Sequence, residues 1–264
     1  MARALLALVL LGTLVLAAAM RSGNRWAQYE YEMQDPVDDP PDASRPGEFT
    51  FGRLRYRSPL DGRRGGYARW GIDCNKGDRL FIQSISRLTR IDVAPIETII
   101  DVDSDEVFNW PWLFAVSAGD WKLSPPQAAR LKKYLEQGGF LMVDDFHGER
   151  EWASFLEGIR QMAPGAEVVD LEDGDPIFHV IWNMKDRIQV PGANVVHGPG
   201  YERGGVIPHW RAVVDAKGRV IVAICFNMDV GDGWEFADDP SYPEKFSYEA
   251  LRLGINYVAY AMTH

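Results

Sequence analysis

The sequence has only two cysteines, Cys74 and Cys225, so at most one disulfide can form. Cys225 lies in the apolar run "RVIVAICFN" and is predicted to be a small buried core residue, whereas Cys74 in "GIDCNKGD" is predicted to lie in a loop. A bridge requires their Cα atoms to lie within about 7 Å, which sequence alone does not show. Neither cysteine stands in a Gly-x-Cys-x-Gly elbow and no Gly-x-Ser-x-Gly occurs, which argues against acyl transfer through a nucleophile elbow.

The sequence also lacks a Lys/Arg-rich block with interleaved aromatic residues. Its formal net charge is −10 at pH 7, so its field repels phosphate backbones, and we expect no nucleic-acid partner. Its 5 histidines match neither a His-x-x-x-His pattern nor a zinc cluster, so their spacing identifies no metal site.

Residues 1–20, "MARALLALVLLGTLVLAAAM", have the layout of a secretory signal: one basic residue, Arg3, then an apolar run that closes with three alanines. We expect export to the periplasm or the extracellular space, with this segment either cleaved or kept as an N-terminal anchor. Contact with the membrane is expected only through this segment, if it is uncleaved. Residues 21–47 are polar and rich in Asp and Pro, which predicts a spacer.

Residues 48–264 are predicted to form one α/β domain, because a chain of 264 residues that is 46% hydrophobic can build one large core. A buried strand over 112–117, a helix capped by Ser124 and stopped by Gly138, and a second buried strand over 140–143 predict a parallel crossover unit covered by helices. Further predicted elements are a strand within 49–58, a helix around 80–91, a helix over 149–162, a strand in "AEVVDL", a hairpin in "RAVVDAKGRVIVAICFN" and a C-terminal helix. The predicted fold class is therefore an open, mostly parallel sheet flanked by helices, with a late β-hairpin.

The stretch "VDDFHG" places Asp144, Asp145 and His147 directly after a buried strand, where open α/β sheets bind their ligands. Two adjacent acids can ligate a divalent cation, act as general acid and base, or bind a cationic or hydroxylated ligand. Successive strand residues face opposite ways, so both acids reach one pocket only if the strand has already turned. The structural alternative is that one acid caps a helix or pairs with an arginine such as Arg150.

Two further segments carry candidate ligand-binding residues. His197 opens the glycine-rich stretch "HGPGYERGG", in which backbone can approach a ligand closely. Asp229 and Trp234 lie in "FNMDVGDGWEFADDP", an acidic concentration that also holds Asp232 and Glu235 but lacks the twelve-residue register of a calcium loop. An aromatic ring beside acids suits a sugar or amine ligand, and the alternative is a solvated turn with a half-buried tryptophan.

Taken together, seven segments resemble the bacterial family called domain of unknown function 4159: "FTFGRLRYRS", "DRLFIQSISRLTRIDV", "GGFLMVDDFHGEREWASF", "DPIFHVIW", "VIPHWRAV", "AICFNMDVGDGWEFADDPSYPEKFS" and "RLGINYVAYAMTH". The similarity extends from about residue 49 to the C-terminus. The resemblance implies a class I glutamine amidotransferase-like fold and an exported setting, but no established activity. The chain differs from the family pattern around Cys74 and Asn75, so no role is carried over to that loop.

The leading hypothesis is an exported α/β domain, without the thiol nucleophile of amidotransferases, that binds a small polar ligand or an envelope partner at the carboxyl edge of its sheet. The alternatives are a hydrolase using Asp144 or Asp145 with His147 or His197, with or without a divalent cation, and a structural module of an envelope assembly. Convergence of the acids, His197 and Trp234 in one pocket would favour binding or catalysis over the structural role.

Overall fold

The computed structural model describes residues 23–63 and 66–264. The predicted signal segment lies outside these residues. Within the described part, no helix combines the length and the apolar character that a bilayer span requires.

Within the described residues, seven strands form one sheet in the order β2-β1-β3-β4-β7-β6-β5. The strands β1, β2, β3, β4 and β7 are parallel, and β6 pairs antiparallel with both β7 and β5. Their bounds are β1 Gly52–Arg55, β2 Thr98–Asp101, β3 Trp112–Val116, β4 Phe140–Phe146, β5 Val168–Asp170, β6 His209–Val214 and β7 Val220–Phe226. The predicted α/β class, with a mostly parallel open sheet and a late hairpin, is confirmed.

The order of the parallel strands fixes where a crevice forms. From β1 the chain moves outward to β2 and then returns past β1 to β3. This reversal is the topological switch point of doubly wound sheets of flavodoxin-like order, and ligands of such sheets bind beyond the carboxyl ends of the strands there.

Helices cover both faces of the sheet: α1 Lys76–Leu88, α2 Pro125–Glu136, α3 Gly148–Met162, α4 Val230–Glu235 and α5 Glu244–Thr263. One core lies between the sheet and α1, α4 and α5, and includes Phe81, Trp234 and Leu253. The second core lies under α2 and α3 and includes Leu131 and Phe155. The central strands β3 and β7 are apolar along their whole length, as expected for strands that are buried on both faces.

The start of α2 follows the predicted capping pattern. The backbone N–H of Gln127 donates to the Ser124 hydroxyl over 3.5 Å, and the Gln127 side chain accepts from the backbone N–H of Ser124 over 2.8 Å. This reciprocal pair is a capping box, and it satisfies two donors that the first turn would otherwise leave unpaired.

The segment predicted as a polar spacer contacts the domain. A short 3-10 helix, Ala27–Glu32, ends in a buried glutamate whose carboxylate accepts hydrogen bonds from Arg55 over 2.8 Å and from the Trp70 indole over 2.7 Å. The neighbouring Met33 is also buried. These residues give an otherwise polar segment enough buried contact to pack.

Candidate functional site

A bulge at the end of β4 separates the two adjacent acids. Val143 pairs with Ile224 and Phe146 pairs with Phe226, so β4 carries one extra residue between these pairs. The strand therefore continues to Phe146, and the prediction that it ends at Val143 was wrong. Asp145, inside the bulge, has a φ of 49°, in the left-handed region. This left-handed backbone conformation interrupts the alternation of side chains between the two faces of the strand, so both acids can lie at the same edge of the sheet.

Asp145 is held in place by two side chains. Its Oδ2 accepts a hydrogen bond from the Ser117 hydroxyl over 2.7 Å, and its Oδ1 lies 3.1 Å from Nε2 of His147. Burial alone would raise the pKa of Asp145, but the hydrogen bond to His147 and the positive charges of His147 and Arg203 outweigh burial and lower it. Asp145 is thus an anion with a fixed orientation.

Asp144 has a different role. Its side chain is fully buried, and its Oδ2 accepts a 2.7 Å hydrogen bond from the backbone N–H of Gly231, in the first turn of α4. Burial, and secondarily the charge of Asp145, raises the pKa of Asp144 well above its usual range. Asp144 therefore has the structural role that was the alternative to ligand binding, because it caps a helix, α4. It does not pair with Arg150, which instead pairs with Glu151.

A cavity of about 300 Å³ lies at the carboxyl edge of the sheet. Asp145 and Asp229, two of the predicted site residues, both line it. The other charged side chains in its wall are Arg69, Asp73, Glu202, Arg203 and Asp232. The segment after β1, the bulge of β4 and the segment after β7 therefore bring acids to one cavity, whose wall also contains two arginines.

Three of these acids form a tight group. Asp73, Asp229 and Asp232 each present one carboxylate oxygen, and these atoms lie within 4.8 Å of one another. Asp229 also caps α4, because its Oδ1 accepts from the backbone N–H of Asp232 over 2.8 Å. Oδ2 of Asp232 accepts from the backbone N–H of Ala193 over 2.6 Å. Among the residues that the structure describes, neither oxygen of Asp73 has a hydrogen-bond donor, although its side chain is only 1% exposed.

The electrostatics of the group reflect this crowding. Burial and the charge of Asp232 raise the pKa of Asp73 well above its usual range, and burial and the charge of Asp232 do the same for Asp229. Burial raises the pKa of Asp232 to about 6, and burial with the charge of Asp232 raises that of Glu235 to about 7. Each carboxylate is therefore hard to ionise while its neighbours are charged.

The backbone around the cavity is strained. Among the described residues, five that are not glycine have a positive φ, and all lie at or beside this edge: Asp73, Ser117, Asp145, Arg203 and Asn227. Such conformations cost about 1–3 kcal/mol each and persist where surrounding contacts enforce them. Their concentration marks this edge as the part of the fold where side-chain placement overrides local preference.

Residues 50–262 match the model of a family described as Domain of unknown function (DUF4159). The chain belongs to the DUF4159 family. No curated protein matches the chain. All the acids of the group lie within the matched residues, so the cavity is part of the DUF4159 domain rather than of the segment that precedes it.

Besides Asp144, three of the predicted site residues of this DUF4159 domain lie outside the cavity wall. His197 is exposed and its Nε2 lies 2.7 Å from the carbonyl oxygen of Ser241. Trp234 is 1% exposed and stacks on Phe81 with ring centroids 4.0 Å apart, so its ring face is not available to a sugar or an amine. Its segment is the helix α4 rather than a solvated turn. His147 is buried, and its Nε2 contacts Oδ1 of Asp145, which lines the cavity.

Sequence reasoning missed Asp73 and Arg203, and it noted Asp232 without choosing it. Asp73 lies in the loop that was considered only for Cys74, and nothing in its local pattern signals a site. Arg203 lies in the glycine-rich stretch that was predicted to approach a ligand, so that stretch reaches the cavity through Glu202 and Arg203 rather than through His197.

Proposed function

We propose that this DUF4159 domain is a ligand-binding module that takes a small polar ligand into the acidic cavity at the carboxyl edge of its sheet. The observation that carries the proposal is the convergence of Asp73, Asp145, Asp229 and Asp232 in one cavity. These acids come from three separate segments: the one after β1, the bulge of β4 and the one after β7. Buried acids that repel one another reduce stability, so their collection at one point is best explained by an interaction that compensates for them.

The cavity suits a small molecule. Its volume of about 300 Å³ lies at the lower end of the range for small-molecule sites. The carboxylates of Asp145 and Asp229 can accept hydrogen bonds from hydroxyl or amino groups, and Arg203 and Asn194 can donate to ligand oxygens. A ligand with several oxygen or nitrogen atoms, such as a polyol, a sugar or an amino compound, therefore fits this wall better than an apolar one.

Binding is favoured over nucleophilic catalysis by two arrangements. Both thiols are buried in the protein interior, and burial raises the pKa of each thiol well above its usual range. The Ser117 hydroxyl donates to Asp145 rather than to His147, so the contact that would activate a serine nucleophile is not formed. We therefore also propose that the domain has an amidotransferase-like fold and that it binds its ligand without using a thiol nucleophile.

A hydrolase based on carboxylate and histidine is the alternative. It has less support, because the lowered pKa of Asp145 makes this residue a weak general base near neutral pH. The Asp145–His147 contact is the feature on which such an enzyme would depend. The purely structural alternative predicts no ligand at all.

We also propose that the domain acts outside the cytoplasm, as a soluble exported protein or attached through its N-terminal segment. The support is the signal-like layout of residues 1–20. Sequencing the N-terminus of the mature protein in its native host tests this, and an intact N-terminal methionine in a soluble cytosolic fraction would contradict it.

The ligand-binding proposal is tested by mass spectrometry of small molecules released from purified protein, followed by thermal-shift measurements with sugars, polyols, amines and organic acids. The variant is Asp145→Asn, and the matched control is Asp186→Asn, which removes the same charge at an exposed position. We expect a ligand that raises the melting temperature of the wild type and the control, with affinity at least tenfold weaker for Asp145→Asn. Equal behaviour of all three proteins would refute the proposal, and turnover of the ligand by the wild type alone would support the hydrolase.

A further inference from the structure

Among the residues that the structure describes, the Asp73 carboxylate stands out because it is buried and neither of its oxygens has a hydrogen-bond donor. Its side chain is 1% exposed, it borders the cavity, and within the described residues no donor reaches either oxygen. A buried carboxylate that lacks partners costs several kcal/mol unless a cation or a proton neutralises it. Either a bound cation or a shared proton must therefore neutralise this carboxylate.

The arginines nearby do not supply a partner for this carboxylate. Arg53 forms a bidentate ion pair with Asp78, its Nε lying 3.1 Å from Oδ2, and its Nη1 donates to the backbone of Ile72. Arg203 lies 3.2 Å from Oε2 of Glu151 and 3.6 Å from Oε2 of Glu202. Each guanidinium is already engaged with another acid, which leaves the group around Asp73 with excess negative charge.

We propose that Asp73, Asp229 and Asp232 hold a hard divalent cation, of the size and chemistry of Ca²⁺ or Mg²⁺. The proposal deepens the proposed function, since it concerns the same cavity and rests on that cavity being a binding site. Two oxygens bound to one Ca²⁺ at 2.3–2.6 Å lie at most about 5 Å apart, and the three carboxylate oxygens lie within 4.8 Å of one another. The ligand set is all oxygen, which suits Ca²⁺, Mg²⁺ or Mn²⁺ and disfavours metals that select thiolate or imidazole.

The backbone leaves room for this arrangement at Gly231. A Cβ at this position would lie 2.1 Å from Oδ2 of Asp73, so any larger residue would displace the carboxylate. The Gly231 N–H is committed to Asp144, which fixes the first turn of α4 against β4. Glycine at 231 thus lets the Asp73 carboxylate stand directly against the turn that carries Asp229 and Asp232.

A cation at this point also explains how an acidic wall can bind a ligand. Three carboxylates supply three oxygens, whereas Ca²⁺ takes six to eight ligands and Mg²⁺ takes six. Water or ligand oxygens from the cavity can fill the remaining positions. Asp145 and Arg203 border the same space and can contact the part of the ligand that the cation does not reach. The ligand class is therefore an oxygen-rich molecule that bridges the cation and Arg203.

The test is isothermal titration of the full chain, stripped with EDTA and dialysed at pH 7.5, with CaCl₂, with MgCl₂ and, for contrast, with ZnCl₂. We expect about one Ca²⁺ or Mg²⁺ per chain. Asp73→Asn and Asp232→Asn should each weaken the affinity for the ion at least tenfold, and Gly231→Ala should weaken it similarly. Asp186→Asn should leave the affinity unchanged. Circular dichroism spectra and melting curves of each variant establish that it is folded, and Asp232→Asn serves if Asp73→Asn does not fold.

The proposal is overturned if neither Ca²⁺ nor Mg²⁺ binds, or if both Asp73→Asn and Asp232→Asn, correctly folded, bind as the wild type does. The first result would mean that a shared proton neutralises the acids. Failure here is distinguishable from failure of the proposed function, because the thermal-shift panel is run both in EDTA and with the cation. If a ligand binds equally well in EDTA, the ligand-binding proposal stands and the cation proposal is refuted. An ion that binds in the absence of any ligand supports the cation alone.

Discussion

The backbone N–H of Gly231 donates a 2.7 Å hydrogen bond to Oδ2 of Asp144, and this bond ties the end of β4 to the start of α4. The neighbouring Asp145 makes no such link and instead lines the cavity. Two acids that are adjacent in sequence thus divide into a structural cap and a site residue, and the β4 bulge is what separates them.

The division predicts opposite effects for the two acids. Asp144→Ala should lower the free energy of unfolding by about 1–3 kcal/mol, because the Gly231 N–H is left buried without an acceptor. Asp144→Asn should lower the free energy of unfolding less than Asp144→Ala does. Burial already favours the neutral acid at this position, and the amide oxygen can still accept the hydrogen bond from the Gly231 N–H. Asp145→Asn should lower the free energy of unfolding less than Asp144→Ala does, because the amide keeps the shape and can still accept from Ser117, but it should weaken ligand binding. Urea denaturation and the binding assay measure both quantities, and early melting of Asp145→Asn with normal binding would reverse the assignment.

The metal-free protein should become more stable as the pH falls from 8 to 5. The pKa values of Asp232 and Glu235 are raised to about 6 and about 7, whereas in the unfolded chain they lie near about 4. Between these values the folded state binds more protons than the unfolded state, so protonation favours folding and this stabilisation is lost as the pH rises through 6–7.

The measurement is the melting temperature in EDTA across this pH range. As the pH falls from 8 to 5, the melting temperature of Asp232→Asn should rise less than that of the wild type. It should rise even less for wild type that is saturated with Ca²⁺ at pH 8. An identical slope in the wild type and in Asp232→Asn would show that these acids are not raised in the metal-free protein.

Thiol chemistry should be absent from the folded protein. Cys74 and Cys225 are free and fully buried, so a thiol reagent such as dithionitrobenzoate should react with neither within minutes and with both after denaturation. Cys225→Ala should cost about 1 kcal/mol of stability and leave binding intact. Rapid labelling of the native protein, or loss of binding by a folded Cys225→Ala, would contradict this expectation.

The buried ion pair of Arg53 and Asp78 should behave as a unit. Arg53→Met should cost about 3–5 kcal/mol, because it leaves the Asp78 carboxylate buried and unpaired. Combining it with Asp78→Leu should recover much of that loss, since neither charge then remains. Urea denaturation of both single variants and the double variant completes the cycle, and strict additivity would indicate that the two residues do not depend on each other.

Much of the fold was predictable because its signals are local. The Ser124 cap, the apolar run that begins at Phe140 and the hairpin around Gly218 each depend on a few neighbouring residues, and each prediction is confirmed. The end of β4 was predicted wrongly because acidic residues usually mark the end of a buried strand. Here a bulge continues the pairing to Phe146, and only the partner strand β7 enforces it.

The sequence by itself determined the α/β class and predicted that Asp145 and Asp229 lie at the carboxyl edge of the sheet. Hydrophobic periodicity and turn residues depend only on neighbouring residues, so the sequence reveals the strands and helices directly. The carboxyl ends of parallel strands then lie at a common edge of the sheet. Only the tertiary structure decided that Asp73 joins Asp229 and Asp232, that Trp234 stacks in the core on Phe81, and that His197 lies outside the cavity. These relationships join segments far apart in the chain, and the packing of α1 and α4 on the sheet, rather than any local pattern, sets the distances between them.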